Sequence, residues 1–202
     1  TAPSEKAGPI EPPAAEPSLL PKELQMMMEE GTRLFGEGRY PDAAKEFARL
    51  SEADPNNVDA VLAQAVASFA TGDYALSAVL IRLGGAMMPE VVDSVFDLRD
   101  RYSEVKDFEK HVQALEQRVQ EHPEEIDAHL VLGFVYHFTG QRPWAAEVFE
   151  FVKQNSPDDA RLAETFLTVK PLDLGSTDGE PGVPNPSGPT TDPASAPPVD
   201  DQ

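Results

Sequence analysis

Residues 35–57 read FGEGRYPDAAKEFARLSEADPNN, and the order of residue types in this stretch decides the fold. A glycine, an aromatic residue, a small residue, a bulky apolar residue and a proline follow one another at fixed intervals. Much of the same skeleton returns in residues 71–90, TGDYALSAVLIRLGGAMMPE, and in residues 139–159, TGQRPWAAEVFEFVKQNSPDD. The chain therefore repeats one short pattern, which predicts a stack of similar structural units.

The prolines at the ends of the repeats give their length. They stand 34 residues apart, at Pro55, Pro89, Pro123 and Pro157. This interval divides the chain into four units, residues 24–57, 58–91, 92–125 and 126–159. Each unit contains two stretches of about 14 residues with the apolar spacing of amphipathic helices. In three units a glycine-containing turn separates these stretches, which predicts helix–turn–helix hairpins.

The period and its small residues resemble the tetratricopeptide repeat. The eighth place holds Gly31, Ala65, Arg99 and Gly133, and the twentieth place holds Ala43, Ser77, His111 and Ala145. The resemblance implies helix pairs stacked in a right-handed superhelix. A last amphipathic stretch, residues 159–170, carries Leu162, Phe166 and Val169 on one face and is expected to cap the stack. We therefore predict an all-α fold, a right-handed α-solenoid of four tetratricopeptide-like units plus a C-terminal capping helix.

The third unit is degenerate. Arg99 stands where the two helices of a hairpin come closest, and Arg118 replaces an apolar residue. A buried unpaired charge costs several kcal/mol, so both side chains are expected to reach solvent or to find carboxylate partners. The candidate partners are Asp97, Asp100, Glu104 and Glu116.

Two proline-rich segments flank the predicted domain of residues 24–170. Residues 1–23 contain six prolines, and residues 171–202 contain eight prolines, six acidic residues and no basic residue. Such compositions bury too little apolar surface to offset the loss of chain entropy, so we predict that both segments are disordered. The chain begins with Thr1 rather than Met, so either a leader was removed or the chain is a fragment. The cytoplasm and the cell envelope both stay open.

The composition excludes several classes of function. The net charge of −20 disfavours binding to nucleic acid and to anionic membrane surfaces. No apolar run approaches the roughly 20 residues that span a bilayer. The absence of cysteine excludes disulfides and thiolate metal sites. The four histidines lack metal-site spacing, and no catalytic or phosphate-binding motif is complete, so we predict a protein that is not an enzyme and uses no cofactor or metal.

By resemblance to the tetratricopeptide family, the first helix of each unit lines the concave groove of the solenoid. The predicted groove residues are Met28, Thr32, Phe35, Leu62, Val66, Phe69, Phe96, Asp100, Leu130, Phe134 and His137. The predicted groove rim is formed by Asp59, Asp93 and Asp127. The groove places where chaperone-tail adaptors of the family hold a carboxylate carry neither Lys nor Asn here, which argues against that specificity.

An apolar groove with an acidic rim favours a protein or peptide partner with apolar anchors and basic flanks. We therefore predict a non-catalytic protein–protein interaction scaffold. Two alternatives stay open: a self-assembling structural protein that forms homo-oligomers, and the repeat segment of a larger envelope-associated protein. The apolar groove residues could also pack against the chain's own helices or be covered by another part of it.

Overall fold

The computed structural model describes residues 21–94 and 96–168, which contain α-helices and two short 3₁₀ turns but no β-strand. The helices are α1 (Pro21–Gly36), α2 (Tyr40–Ala53), α3 (Val58–Ala70), α4 (Tyr74–Met87), α5 (Val105–Glu121), α6 (Ile126–His137), α7 (Arg142–Asn155) and α8 (Ala160–Thr168). The 3₁₀ turns span Pro89–Asp93 and Leu98–Arg101. The predicted all-α solenoid is confirmed.

The two terminal segments lie largely outside the described residues. Residues 21–23, which the sequence assigned to the N-terminal tail, instead form the first turn of α1. Proline is favoured at the first position of a helix, where its missing N–H has no intrahelical partner in any case, so Pro21 starts the helix rather than delaying it. Residues 1–20 and 169–202, including Val169 of the predicted cap, are not described.

Three hairpins share one turn geometry. The hairpins α1–α2, α3–α4 and α6–α7 each contain one glycine with positive φ, Gly38 at 74°, Gly72 at 79° and Gly140 at 77°. Residues with a Cβ atom rarely adopt this left-handed conformation, so glycine sets the position at which each first helix ends. These three turns stand at equivalent places of the first, second and fourth units.

Small residues let the helices of each hairpin approach closely. A Cβ atom on Gly31 would lie 2.5 Å from the Phe47 ring, and one on Gly133 would lie 2.9 Å from the Phe149 ring. In the second hairpin the Ser77 hydroxyl donates a hydrogen bond to the Ala65 carbonyl at 2.9 Å. Each bulky ring therefore occupies the space that a missing side chain leaves on the facing helix.

The third unit does not form the predicted hairpin. Where its first helix was expected, the described residues 92–94 and 96–104 contain only 3₁₀ turns and extended backbone. Arg99 and His111 stand at the two places where the other hairpins have small residues, so two helices cannot close on each other there. Arg99 instead lies exposed and donates to Asp97 at 2.9 Å, and Arg118 donates to Glu125 at 2.5 Å.

The fourth unit takes the position that the third would occupy in the stack. Helix α4 packs directly against α6, and α7 packs against α8. The Arg82 guanidinium on α4 joins this junction by donating to Asp127 at 2.7 Å and to Asp159 at 2.6 Å. The predicted stack of four consecutive units is thus corrected to three stacked hairpins, with residues 88–121 set aside from the stack.

Helix α8 covers the last hairpin. Its Phe166 ring stacks on Phe149 with centroids 4.4 Å apart, and Ala163 is fully buried. A Cβ atom on Gly85 would lie 2.6 Å from Leu162, so α8 also approaches α4 closely. Helix α8 therefore has the contacts expected of the capping helix.

Candidate functional site

Residues 88–94 and 96–104, here called the crossing segment, run along the faces of α1, α3 and α6 that the sequence assigned to the groove. Phe96 stacks on Phe138 with ring centroids 4.4 Å apart, and Tyr102 packs edge-on against Phe35 at 4.9 Å. Leu98 is 1% exposed. The chain thus covers much of its own groove, one of the outcomes that the sequence left open.

Hydrogen bonds fix the crossing segment at both ends. At the α6 end, the Leu98 N–H donates to the Phe138 carbonyl at 3.0 Å. At the α1 end, the Ser103 hydroxyl donates to the Gly36 carbonyl. Because these partners are the last residues of α6 and α1 or their immediate neighbours, the segment spans the groove from the fourth unit to the first.

His137 joins α6 to the crossing segment in the core. Its Nε2 lies 2.8 Å from the Val92 carbonyl, and its Nδ1 lies 3.2 Å from Arg142 Nη1. Only the neutral ring with its proton on Nε2 satisfies both contacts, since Val92 offers an acceptor and Arg142 a donor. Burial is the main reason that the pKa of His137 is lowered to about 4; the contact with the Val92 carbonyl and nearby Asp93 oppose the shift, and Arg142 adds to it.

Protonation of His137 is expected to destabilise the fold. The pKa of His137 in the folded chain lies below its value of about 6.5 in the unfolded chain. Between these two pKa values the unfolded chain binds more protons, so the free energy of unfolding decreases as the pH falls. From pH 7 to pH 5 this group alone should reduce the unfolding free energy by about 2 kcal/mol. Urea unfolding across this range, which stays above the isoelectric point of about 4.4, measures the loss.

His137→Gln provides the control for this titration. Glutamine can donate to the Val92 carbonyl but does not titrate, so the variant should show a shallower dependence of stability on pH. The carboxylates titrate equally in both proteins, and the difference between the two slopes therefore isolates His137. Parallel slopes would contradict the assignment of a neutral, buried imidazole.

A cavity of about 170 Å³ remains between α1, α3 and the crossing segment. We call it the α1–α3 cavity. It is lined by Thr32, Phe35, Phe47, Asp59, Leu62, Ala63, Val66, Met88, Val91, Ser94, Phe96, Leu98, Arg101 and Phe134. Six of the predicted groove residues and one predicted rim residue are among them. The structure thus brings together part of the predicted groove around one cavity.

The other predicted groove residues do not line this cavity. Phe69, Leu130 and His137 are at most 2% exposed, and their neighbours are residues of the chain itself. Met28 is half-buried on α1, and Asp100 is exposed on the second 3₁₀ turn. Phe69, Leu130 and His137 are buried and do not line the cavity, so they belong to the core.

The predicted rim is also divided. Asp59 lines the α1–α3 cavity, whereas Asp93 is exposed near His137 and Arg142. Asp127 accepts the hydrogen bond from Arg82 at the junction of α4 and α6, so it is committed to an ion pair there. One of the three aspartates therefore remains beside the cavity.

Half of the cavity wall was absent from the sequence-based site. Met88, Val91, Ser94, Leu98 and Arg101 all belong to the crossing segment. The sequence placed the first two at the end of the second unit and the other three in the predicted first helix of the third unit. The sequence signal for a third unit without a closed hairpin is the presence of Arg99 and His111. These residues occupy the two places at which the closed hairpins have small residues.

The mouth of the cavity carries two charges of opposite sign. Asp59 and Arg101 are both exposed, and neither forms an ion pair within residues 21–94 and 96–168. The Thr32 hydroxyl, which also lines the cavity, donates a hydrogen bond to the Met28 carbonyl at 2.8 Å.

The described part of the chain has no cluster of metal-ligating side chains and no helix long and apolar enough to cross a membrane.

These features define an all-α helical-repeat protein whose hairpins resemble tetratricopeptide repeats, with the crossing segment laid across the groove. No protein-family model and no curated protein matches the sequence.

Solved structures of tetratricopeptide type are similar to the chain. The first tetratricopeptide domain of Spaghetti (RPAP3), solved with the HSP90 peptide SRMEEVD, is 16% identical with a TM-score of 0.37; the match covers 75% of this chain and 93% of that one. A structure of MamA is 18% identical with a TM-score of 0.36, covering 73% and 80%. Because these TM-scores are low, the fold assignment rests on the helices and glycine turns of the chain itself.

Proposed function

We propose that this chain is a non-catalytic protein-interaction scaffold that holds one apolar side chain of a partner segment in the α1–α3 cavity. The observation that carries the proposal is the cavity itself, which is apolar in depth, open at a charged mouth and built from residues of the predicted groove. An extended peptide along the whole groove is not proposed, because the crossing segment already occupies most of that face.

The volume of the cavity favours a single anchor. A space of about 150 Å³ lined by apolar side chains is sufficient for benzene in a protein interior. The α1–α3 cavity, at about 170 Å³, therefore matches one phenyl or leucyl side chain rather than a cofactor. Interactions that bury one anchor in a fitted pocket are typical of hot spots at protein interfaces.

The charges at the mouth favour a basic residue beside the anchor. Asp59 has no cationic partner among the described residues, and the chain as a whole carries a net charge of −20. Arg101 also lines the cavity, on the crossing segment, and its guanidinium can donate hydrogen bonds to a carboxylate or a backbone carbonyl of the partner. We expect weak binding, with a dissociation constant in the micromolar range or above, because the partner loses chain entropy.

Two peptides test the anchor. Acetyl-Lys-Phe-Lys-amide is expected to shift the amide resonances of Val66 and Phe96, with a dissociation constant of about 0.1–1 mM, whereas acetyl-Lys-Ala-Lys-amide should leave them unchanged. Both peptides carry the same charge, so the difference reports the aromatic anchor. Equal shifts from the two peptides would contradict the proposal.

The variant Ala63→Phe fills the cavity from α3 and should abolish the shifts. The same substitution at Ala114, which is exposed on α5, serves as the matched control and should leave binding unchanged. Ala63 is preferable to the groove phenylalanines for this purpose, because Phe35 and Phe134 are buried and their replacement would damage the core.

A further inference from the structure

Helix α4 presents a continuous apolar surface to solvent. Leu76 is 38% exposed, Val79 54% and Leu83 46%, and Ala86 is also exposed. Their spacing of three, four and three residues places them on one face of the helix. We call these four residues the α4 stripe.

The repeat within this chain supplies a comparison for the α4 stripe. The 34-residue period gives the equivalents of Leu76, Val79 and Leu83 in the other helices. They are Asp42, Lys45 and Arg49 in α2, and Lys110, Gln113 and Gln117 in α5. In α7 they are Trp144, Glu147 and Phe151. Helices α2 and α5 thus carry only polar or charged residues at these places. Because the hairpin α1–α2 folds with charges there, the apolar residues of α4 are not needed to form a hairpin.

The charge of α4 distinguishes it from the rest of the chain. The helix contains no acidic residue, although the chain carries 36 of them. Its one charged residue, Arg82, is paired with Asp127 and Asp159. Two copies of a chain with net charge −20 repel each other on approach, and a face without carboxylates is where this repulsion is smallest. Helix α4 is therefore a face on which a second copy of this chain meets little charge repulsion, and its apolar side chains can pack against the same side chains of that copy.

We propose that the α4 stripe is a self-association surface through which two copies of this chain pair, with α4 packed antiparallel against α4 of the partner copy. The spacing of the stripe matches the apolar seam of a coiled coil, in which the side chains of one helix fit between those of another. A two-fold axis brings the same stripe to both sides, as in an isologous dimer. A helix of 14 residues is about 21 Å long, so the contact is small and the dimer is weak.

Sedimentation velocity of the full 202-residue chain tests this pairing. Between about 1 µM and about 200 µM, the weight-average sedimentation coefficient of the wild type should rise from the monomer value towards the dimer value. Val79→Glu should remain monomeric throughout, because it places a carboxylate opposite its own copy. Glutamate is compatible with this place, since Glu147 occupies it in α7.

Two further variants make the outcome decisive. Val105→Glu changes an equally exposed valine on α5, 54% exposed, and should associate like the wild type. Leu83→Arg, which installs the residue that α2 has at this place, should be monomeric even if Val79→Glu does not fold. Circular dichroism confirms that each variant is helical.

The dependence of the dimer dissociation constant on salt concentration distinguishes an apolar contact through the α4 stripe from a contact driven by charge attraction. Raising the ionic strength from about 0.1 M to about 1 M shortens the Debye length from about 10 Å to about 3 Å, which screens the repulsion between two acidic chains. Association through the α4 stripe should therefore become tighter, by tenfold or more. A wild-type chain that stays monomeric at every concentration and salt level would overturn the proposal, as would a dimer that Val79→Glu and Leu83→Arg leave intact.

Discussion

The variant Gly133→Arg is expected to lose the cooperative unfolding transition of the C-terminal hairpin. A Cβ atom at this position would lie 2.9 Å from the Phe149 ring, so any side chain must displace a residue that is 1% exposed. Overpacking costs about 1–3 kcal/mol, and a buried guanidinium without a partner adds several more. The total approaches the full stability of a domain, which is about 5–15 kcal/mol.

Urea unfolding followed by the fluorescence of Trp144 measures this effect locally. Trp144 is the only tryptophan of the chain and lies in the first turn of α7, directly after the turn that joins it to α6. The milder Gly133→Ala should cost about 1–3 kcal/mol, and combining it with Phe149→Leu should cost less than the sum of the two single changes. A Gly133→Arg protein that still unfolds cooperatively at the wild-type urea concentration would show that the two helices are not in the assigned register.

The hairpins could be predicted because the signals that specify them are local. Gly72 ends a helix through its own backbone, and Gly31 and Phe47 complement each other within one unit. A period of 34 residues repeats these signals, so the presence of helical hairpins in the first, second and fourth units could be predicted from the sequence alone. These signals act within one hairpin and do not depend on which units are neighbours in the stack.

The position of the third unit could not be predicted from the same period. Pro89 and Pro123 keep the spacing of 34 residues, yet the chain between them leaves the stack, because a proline ends a helix without specifying the path of the next residues. The distinguishing information is the loss of small residues at Arg99 and His111. These two residues forbid a close hairpin but do not say where the displaced chain goes.

The groove residues were partly predictable for a related reason. The repeat places predicted one shared surface for Phe35, Leu62, Val66 and Phe134, and these four residues line the same cavity. The cover of that surface is decided by contacts between residues distant in sequence, such as Phe96 with Phe138. A pattern with a period of 34 residues carries no information about such contacts, so the cavity emerged only from the structure.

Arg82→Met is expected to destabilise the chain by about 2–3 kcal/mol by leaving two carboxylates unpaired. Arg82 donates to Asp159 at 2.6 and 2.9 Å and to Asp127 at 2.7 Å, and the Asp159 side chain is 5% exposed. The hydrogen bond from Arg82 is the main cause that lowers the pKa of Asp159, so the ionised carboxylate depends on this partner. The expected loss is smaller than the full cost of breaking a buried pair because Arg82 and Asp127 are each about one-third exposed.

Methionine keeps an unbranched apolar stem but lacks the guanidinium group, so the loss mainly measures the charge contacts rather than a cavity. Asp159→Asn should cost more than Asp127→Asn, because Asp159 is the more buried carboxylate and also accepts from Ser156 at 2.7 Å. Urea unfolding of Arg82→Met, Asp159→Asn and the double variant should give a coupling energy of about 1–3 kcal/mol. Strictly additive effects would mean that α4 and the α7–α8 connection are held together by apolar packing alone, without the ion pairs that join the second hairpin to the fourth unit.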